Sequence, residues 1–253
     1  MSPRDRITES LRAARQPALV AFLTAGYPSR EGFVDSLRSV ASVADAVEIG
    51  VPFSDPMADG VTIQRSSEAA IESGVTLQWI FDELEAGKGS FDAPLLLMSY
   101  LNPLLTYGYE RLAETAVRAD VCGFMVPDLP WEECAPLRDA LGRHGIALVQ
   151  FVTPATPAER IELLCSNSEG FIYAVTKTGI TGGQSSLPED LAEYLASVKQ
   201  HSQLPVCAGF GVRSAEQVEL IGAHADGVIV GSALVEVLES QGDPAAFLEG
   251  LRS

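Results

Sequence analysis

Two carboxylates close together in the sequence are the first candidates for chemistry. Glu48 stands between Val47 and Ile49 inside a short apolar run, and Asp59 lies in the long loop that follows. A carboxylate inside an apolar strand is costly when it is ionised and unpaired, so Glu48 is expected to be paired, protonated or functional. Burial would raise its pKa toward the range that a general acid–base needs near neutral pH. Asp59 alone is typical of a turn or a helix cap, but together with Glu48 it predicts a pair that divides acid–base and electrostatic roles.

Glycine-rich segments in the second half of the chain are candidates for anion binding. Three of them follow later apolar runs and contain Gly182, Gly211, and Gly231 with Ser232. Glycines let backbone N–H groups approach an anion, and a short helix beginning at Ser232 would add its N-terminal dipole. One such segment would be an ordinary turn, whereas three in order predict a phosphate site.

The charge of the chain limits its partners. There are 17 basic and 34 acidic residues, which gives a net charge of −17. A field of this sign disfavours nucleic acid and anionic lipid. A phosphorylated substrate would therefore have to be held locally, by backbone amides.

Eight short apolar runs must position these groups. They are continuous and not alternating, which is typical of parallel strands buried on both faces, and they cover 18–23, 46–51, 95–98, 122–126, 146–151, 170–175, 205–210 and 227–230. Segments with helical spacing separate them, and no linker composition interrupts the 253 residues. We therefore predict an α/β fold, a single-domain (β/α)8 TIM barrel over 1–253, with an extra N-terminal helix over 6–15 and a short one over 244–251. A doubly wound open sheet is the alternative.

Several classes of protein are disfavoured by what the sequence contains. The four cysteines form no CxxC pair, and the three histidines fall in helices or just before strands. We therefore expect no zinc site, no Cys–His nucleophile and no bound metal. The apolar runs are too short to span a membrane and the first residues do not resemble a signal peptide, so a cytoplasmic protein is expected.

Six segments carry a resemblance to a known family. The motifs closely resemble those of the tryptophan synthase alpha chain family across essentially the whole chain, and they read FLTAGYP at 22–28, EIGVPFSDPMADG at 48–60, YLNP at 100–103, PDLP at 127–130, TGITG at 178–182 and GFGV at 209–212. The resemblance implies a lyase of tryptophan biosynthesis that cleaves indole-3-glycerol phosphate by a retro-aldol reaction into indole and glyceraldehyde 3-phosphate. It also implies an alpha2beta2 heterotetramer in which indole passes to a beta chain. Pyridoxal phosphate would belong to that beta chain, and this chain would bind no cofactor.

The resemblance also assigns roles to individual residues. Glu48 matches the acid–base of the family, and Asp59 matches the carboxylate that engages the indole N–H. Residues matched to substrate binding are Phe22, Tyr100, Tyr173, Thr181 and Phe210, and those matched to phosphate binding are Gly182, Gly211, Gly231 and Ser232. In the loop that ends at Asp59, Asp55, Pro56 and Met57 have the mixed apolar and charged character of a docking surface. These residues alone favour a loop that packs over the pocket, whereas the resemblance implies a docking surface for the beta chain.

The sequence departs from the family pattern at several positions, and it is compatible with three other functions. Val61 replaces a usual Pro, Lys177 replaces a frequent Arg, and the segment 183–186 is unusual for the closing loop. A class I aldolase would use Lys177 as a Schiff-base lysine. A magnesium enzyme would use Asp55, Asp59 and Glu48. A self-sufficient indole-producing lyase would share every catalytic residue with the alpha chain.

Overall fold

Eight parallel strands close into one barrel in the order of the chain. A computed structural model describes residues 1–176, 188–209 and 211–252. Each apolar run of the sequence forms one strand, and the strands are β1 Ala18–Thr24, β2 Ala46–Gly50, β3 Leu95–Met98, β4 Val121–Met125, β5 Ala147–Val152, β6 Ile172–Val175, β7 Val206–Gly209 and β8 Gly227–Val230. Since β8 pairs in parallel with β1, the sheet has no free edge. The predicted (β/α)8 barrel is confirmed, and the open-sheet alternative is wrong.

Helices follow the strands and surround the barrel. In the described ranges they are α1 Pro3–Ala13, α2 Phe33–Ala41, α3 Val61–Glu72, α4 Leu77–Ala86, α5 Leu101–Tyr107, α6 Tyr109–Arg118, α7 Ala135–Gly142, α8 Ala158–Asn167, α9 Glu189–His201, α10 Ala215–Gly222, α11 Ser232–Glu239 and α12 Pro244–Gly250. A 3₁₀ turn covers Trp131–Glu133. None of the described helices is long and apolar enough to cross a membrane.

Helices were expected between the strands, but the positions of α3, α4 and α5 were not predicted from the sequence. The N-cap of α3 is Gly60, which makes no side-chain cap, so no start signal marks this helix. The helix α4 does carry a signal, because the Thr76 hydroxyl accepts the Trp79 N–H. Packing against the barrel, and not a strong local pattern, decides the formation of short helices such as α5.

The core has two layers that meet at the strands. Outward-facing strand residues pack under the surrounding helices, while inward-facing ones fill the barrel. At the N-terminal end of the barrel, Ile7 and Leu11 of α1 are fully buried against the inward-facing residues. The predicted extra N-terminal helix is present and closes this end, which leaves the other end of the barrel for a site. At the other terminus of the chain, α12 packs against α2 and α11.

A nearly buried ion pair fastens the C-terminal residues to the barrel. One terminal nitrogen of Arg252 donates to Asp45 Oδ2 at 2.6 Å and to the Val43 carbonyl at 2.9 Å. The same Asp45 oxygen accepts the Leu19 N–H, the second residue of β1, at 2.7 Å. The two charged side chains are only 18% and 17% exposed. Asp45 thus joins the chain terminus to the first strand.

We expect Arg252→Ala to lower the free energy of unfolding by about 3 kcal/mol, because it leaves the Asp45 carboxylate buried without its cation. Arg38→Ala is the matched control, since Arg38 pairs with Asp35 in a largely exposed i,i+3 pair and should cost less than about 1 kcal/mol. Urea unfolding monitored by circular dichroism measures both. Equal losses in the two variants would contradict a special role for the terminal ion pair.

Candidate active site

The C-terminal ends of the strands surround a cavity of about 210 Å³. This is the end opposite α1, where (β/α)8 barrels hold their reactive groups. Seven of the eight strands contribute residues to its wall, and β4 contributes through Pro127, in the segment that follows it. The loop after β2 and the first turn of α3 complete the wall. The lining residues are Phe22, Glu48, Ala58, Asp59, Gly60, Ile63, Met98, Pro127, Phe151, Tyr173, Val175, Gly209, Gly211, Ile229, Gly231 and Ser232.

Glu48 projects into the barrel from β2. Its register partner on β1 is Phe22, which lines the same cavity. The Glu48 side chain is 1% exposed, and neither carboxyl oxygen has a hydrogen-bond partner among the described residues. Burial raises its pKa to about 8, so the group carries a proton at neutral pH and can both give and take one close to that pH.

Asp59 reaches the cavity from the loop between β2 and α3. Its Oδ2 accepts a hydrogen bond from the Tyr100 hydroxyl at 3.1 Å, and its carbonyl oxygen accepts one from the Gln64 side chain at 2.8 Å. Partial burial raises the pKa of Asp59, while the hydrogen bond from Tyr100 lowers it. The two carboxyl groups of the site therefore have different surroundings: Glu48 is enclosed and unpaired, and Asp59 is half-buried and hydrogen-bonded.

Aromatic side chains form part of the cavity wall. The rings of Tyr173 and Phe151 lie 4.9 Å apart between centroids, on neighbouring strands. Across the barrel, the Phe22 ring lies against Gly50, where a Cβ atom would stand only 2.5 Å from the ring. Glycine at position 50 is thus required for this placement of Phe22. Such walls suit a planar aromatic ligand.

The backbone side of the cavity, at the ends of β7 and β8, is built from glycines and a helix N-terminus. Gly211 has a φ of +67°, in the region that favours glycine, and a Cβ atom there would meet nothing within 4 Å. Gly231 precedes the first residue of α11, Ser232, and both line the cavity. The N-terminus of an eight-residue helix therefore faces the cavity, with N–H groups and a positive dipole end available to an anion. No Lys or Arg of the described ranges lines it.

Most of the site residues expected from the sequence meet in this cavity. They are Phe22, Glu48, Asp59, Tyr173, Gly211, Gly231 and Ser232. Tyr100 does not line the cavity but reaches Asp59 through its hydroxyl. The remaining expected site residues, Thr181, Gly182 and Phe210, lie outside the described residues, and so does Lys177 of the aldolase alternative.

The expected docking residues lie on the rim and outside the cavity. Asp55 is exposed, Met57 is 79% exposed, and Pro56 is half-buried between them. Within the described ranges, no group of three His, Cys, Asp or Glu side chains is arranged to hold a metal ion. The magnesium alternative, which needed Asp55 beside Asp59 and Glu48, therefore gains no support from the geometry.

Sequence reasoning missed the apolar part of the lining. The missed side chains are Ile63, Met98, Pro127, Phe151, Val175 and Ile229. A signal for some of them exists, because side chains at alternate positions of a strand point into the barrel. Phe151, two residues after the inward-facing Val149, is found in this way. Strand alternation could not identify Ile63, because Ile63 lies on α3, a helix whose position was not predicted.

A closed parallel barrel whose cavity holds a buried protonated carboxyl, a second carboxyl group and a helix N-terminus is typical of an enzyme of the (β/α)8-barrel class. Comparison with known proteins specifies the family. The family model described as tryptophan synthase alpha chain matches residues 8–248. The tryptophan synthase alpha chain of Solidesulfovibrio magneticus is 44% identical over 244 residues, covering 96% of this chain and 95% of the relative. That of Bacillus cereus is 44% identical over 237 residues, covering 92% of each.

Solved structures agree with the sequence comparison. A chain of ligand-free tryptophan synthase from M. tuberculosis superposes with a TM-score of 0.88 at 33% identity, over 99% of this chain and 98% of that one. The alpha chain from Legionella pneumophila gives a TM-score of 0.86 at 33% identity, over 100% of this chain and 96% of that one. This chain belongs to the tryptophan synthase alpha chain family. It is a lyase of tryptophan biosynthesis, as predicted, and membership implies a beta-chain partner.

Proposed function

We propose that indole-3-glycerol phosphate is cleaved in this cavity, with Glu48 as the acid–base and Asp59 as the electrostatic partner of the indole ring. The observation that carries the assignment is the Glu48 carboxyl, fully buried, unpaired among the described residues and with its pKa raised to about 8. A buried carboxyl without a partner destabilises the folded chain. Its position in a cavity at the C-terminal end of the barrel indicates a catalytic role.

The first step protonates the indole ring. The neutral Glu48 carboxyl gives its proton to C3 of indole, and the positive charge that results is shared with the ring nitrogen. The Asp59 carboxylate accepts a hydrogen bond from that N–H and stabilises the charge as it develops. Phe22 and Tyr173 would flank the planar ring. A contact between Tyr100 and the substrate is predicted from the resemblance alone.

The second step breaks the carbon–carbon bond. The bonding pair between C3 and the glycerol carbon returns to the ring and restores neutral indole. The hydroxyl on that glycerol carbon loses its proton to the Glu48 carboxylate, and the O–H electron pair forms the aldehyde carbonyl of glyceraldehyde 3-phosphate. Glu48 ends the cycle with its proton restored, so a single carboxyl suffices for both transfers.

The phosphate group would be held by backbone and would fix the substrate. Gly211, Gly231 and Ser232 line the backbone side of the cavity, at the ends of β7 and β8. N–H groups at the N-terminus of α11 suit a phosphate even in a chain of net charge −17. Binding energy from this remote group would position the reacting bond over Glu48 and Asp59. Thr181, Gly182 and Phe210 stay predictions from the resemblance.

The organisation of the enzyme is proposed as follows. Residues 1–253 would form one domain, since all described strands belong to one closed barrel. This chain would use no cofactor of its own, pyridoxal phosphate would belong to the beta chain, and the assembly would be an alpha2beta2 heterotetramer. A cytoplasmic location stays a prediction.

The test of the function is indole release from indole-3-glycerol phosphate by the pure chain, with and without a cognate beta chain. We expect a slow reaction alone and an acceleration by the beta chain, because docking on the exposed rim at Asp55 and Met57 would order the loop that ends at Asp59. A chain that releases no indole in either condition contradicts the proposed function. A chain that is fast alone and indifferent to the beta chain is a self-sufficient lyase.

Asp55→Ala is expected to remove most of the acceleration, measured as the ratio of the rates with and without the beta chain. The matched control is Asp92→Ala, because Asp92 is also exposed but lies just before β3, at the other end of the barrel. The control should keep the parental ratio. If both variants keep it, the docking surface lies elsewhere than at Asp55.

A further inference from the structure

One side chain, that of Tyr100, contacts the Asp59 loop at three places. Its ring stacks on Phe53, with centroids 5.2 Å apart and planes inclined by 29°. Its hydroxyl oxygen accepts the Ala58 N–H at 2.9 Å, and the same hydroxyl donates to Asp59 Oδ2 at 3.1 Å. Phe53, Ala58 and Asp59 all belong to the segment between β2 and α3. Tyr100 therefore stacks on the beginning of the loop and forms hydrogen bonds with its end.

Tyr100 itself is firmly anchored. It is 4% exposed and is the N-cap residue of α5. Asp128, from the segment after β4, accepts the N–H of Leu101, the first residue of that helix, at 2.9 Å. The Ser99 hydroxyl donates to the Tyr100 carbonyl at 2.9 Å. The segments after β3 and β4 thus hold Tyr100 in place, and Tyr100 contacts the Asp59 loop.

We propose that Tyr100 is a positioning residue for Asp59. The Tyr100 phenol holds the Asp59 carboxylate toward the cavity through its hydrogen bonds with Ala58 and Asp59. The inference rests on the proposed function, in which Asp59 faces the ring nitrogen of the substrate. It differs from a substrate contact, because Tyr100 acts here through Asp59 and does not line the cavity.

The direction of the hydrogen bonds supports this role. Because the phenol oxygen accepts the Ala58 N–H, its own O–H is directed to Asp59. Donation to a carboxylate favours the ionised form, which the proposed reaction needs. Within the described part of the chain, the other titratable groups near Asp59 supply no positive charge: Glu48 and Tyr173 line the same cavity, and Asp128 acts on the Tyr100 hydroxyl. Among the described residues, Tyr100 is the side chain that donates to the Asp59 carboxylate.

The test is Tyr100→Phe, which keeps the ring and its stacking on Phe53 but removes both hydrogen bonds. We expect kcat for indole release to fall about 10-fold to 100-fold with little change in KM, as for loss of one hydrogen bond to a charged group. The acidic limb of the pH–rate profile should move to higher pH, because Asp59 loses the bond that lowers its pKa. Carbon-13 NMR of labelled aspartate carboxyls should show the same rise directly, in the absence of any reaction.

Tyr107→Phe is the matched control, since the Tyr107 hydroxyl donates to Gln78 at 2.9 Å, away from the cavity. It should leave kcat and the acidic limb unchanged. Should Tyr100→Phe prove poorly folded, Asp128→Ala releases the first N–H of α5 and should move the same limb in the same direction, by a smaller amount.

Two results would overturn the proposal. A rise in KM with unchanged kcat and an unmoved acidic limb would make Tyr100 a substrate contact only. An unchanged Asp59 titration in the Tyr100→Phe variant would show that the hydrogen bond has no effect on the carboxylate. The NMR titration also separates this inference from the proposed function, because it measures the pKa of Asp59 without any reaction. Even if the parent chain had no lyase activity, comparing it with Tyr100→Phe would show whether Tyr100 lowers the pKa of Asp59.

Discussion

Glu48→Gln is expected to abolish indole release while making the folded chain more stable above neutral pH. The amide has the shape of the carboxyl but cannot give or take the proton that both proposed steps require. Loss of one general acid–base costs about 10²–10⁴ in rate, and the loss here should reach the upper end because the same group serves twice. A variant that cleaves at a rate close to that of the parent would contradict the assignment.

The gain in stability follows from the pKa of Glu48. Its pKa is about 8 in the folded chain and has a reference value of 4.5. Between these two pH values the unfolded chain has released the proton that the folded chain still holds, so the contribution of Glu48 to stability decreases as pH rises through this window. Glutamine has no such proton. Between pH 5 and pH 8.5 the parent should therefore lose about 4 kcal/mol relative to the variant.

Urea unfolding of parent and variant at several pH values between 5 and 8.5 measures this difference. Glu68→Gln is the matched control, because Glu68 is an exposed residue of α3; it should change neither the activity nor the pH dependence of stability. If the difference in free energy of unfolding between the parent and Glu48→Gln does not change with pH, then Glu48 has the same pKa in the folded and the unfolded chain. The rate of the parent should also fall as pH rises past about 8, since the first step needs the protonated carboxyl.

Glu48 was found from the sequence because its signal is local. A charged residue inside a continuous apolar run is rare, and the run itself marks a buried strand. The same reasoning located the eight strands, and with them the end of the barrel where the site lies. Ser232 was found for a similar reason, since a glycine and a serine after an apolar run mark the start of a helix at a strand end.

The contacts of Tyr100 could not be predicted in this way. Tyr100 and Asp59 are 41 residues apart in the sequence, and their hydrogen bond depends on the path of a long loop and on the start of α5. Neither is determined by a local pattern: α5 has seven residues and its N-cap makes no side-chain bond. Loops of this kind are specified by packing between elements, which a single sequence does not display.

Asp59→Asn is expected to lower kcat about 10²-fold to 10³-fold, the cost of removing one group that stabilises charge in a transition state. The asparagine oxygen can still accept a hydrogen bond from the ring N–H, so binding of the uncharged ground state should persist. What is lost is the negative charge that offsets the protonated ring. KM should therefore change little, and the acidic limb of the pH–rate profile should disappear with the group that produces it.

Binding of glycerol phosphate separates this effect from a structural one. The phosphate would lie at Gly211, Gly231 and Ser232, on the backbone side of the cavity, so its affinity should be the same in Asp59→Asn and in the parent. Loss of glycerol phosphate binding would instead give Asp59 a structural role in the site. Asp92→Asn, at the other end of the barrel, is the control for the change of net charge.

The double variant Tyr100→Phe/Asp59→Asn decides whether the two residues act as one unit. If Tyr100 works through the Asp59 carboxylate, then removing the hydroxyl after the charge is gone should cost little more, and the two rate losses should not add. Asparagine still presents an acceptor oxygen to the Tyr100 hydroxyl, so a residual effect of up to a few-fold on the placement of the loop is compatible with this. Full additivity of the two losses in kcat would show that Tyr100 and Asp59 stabilise the transition state independently. In that case the hydrogen bond between them, 3.1 Å long in the free chain, would have no part in the reaction.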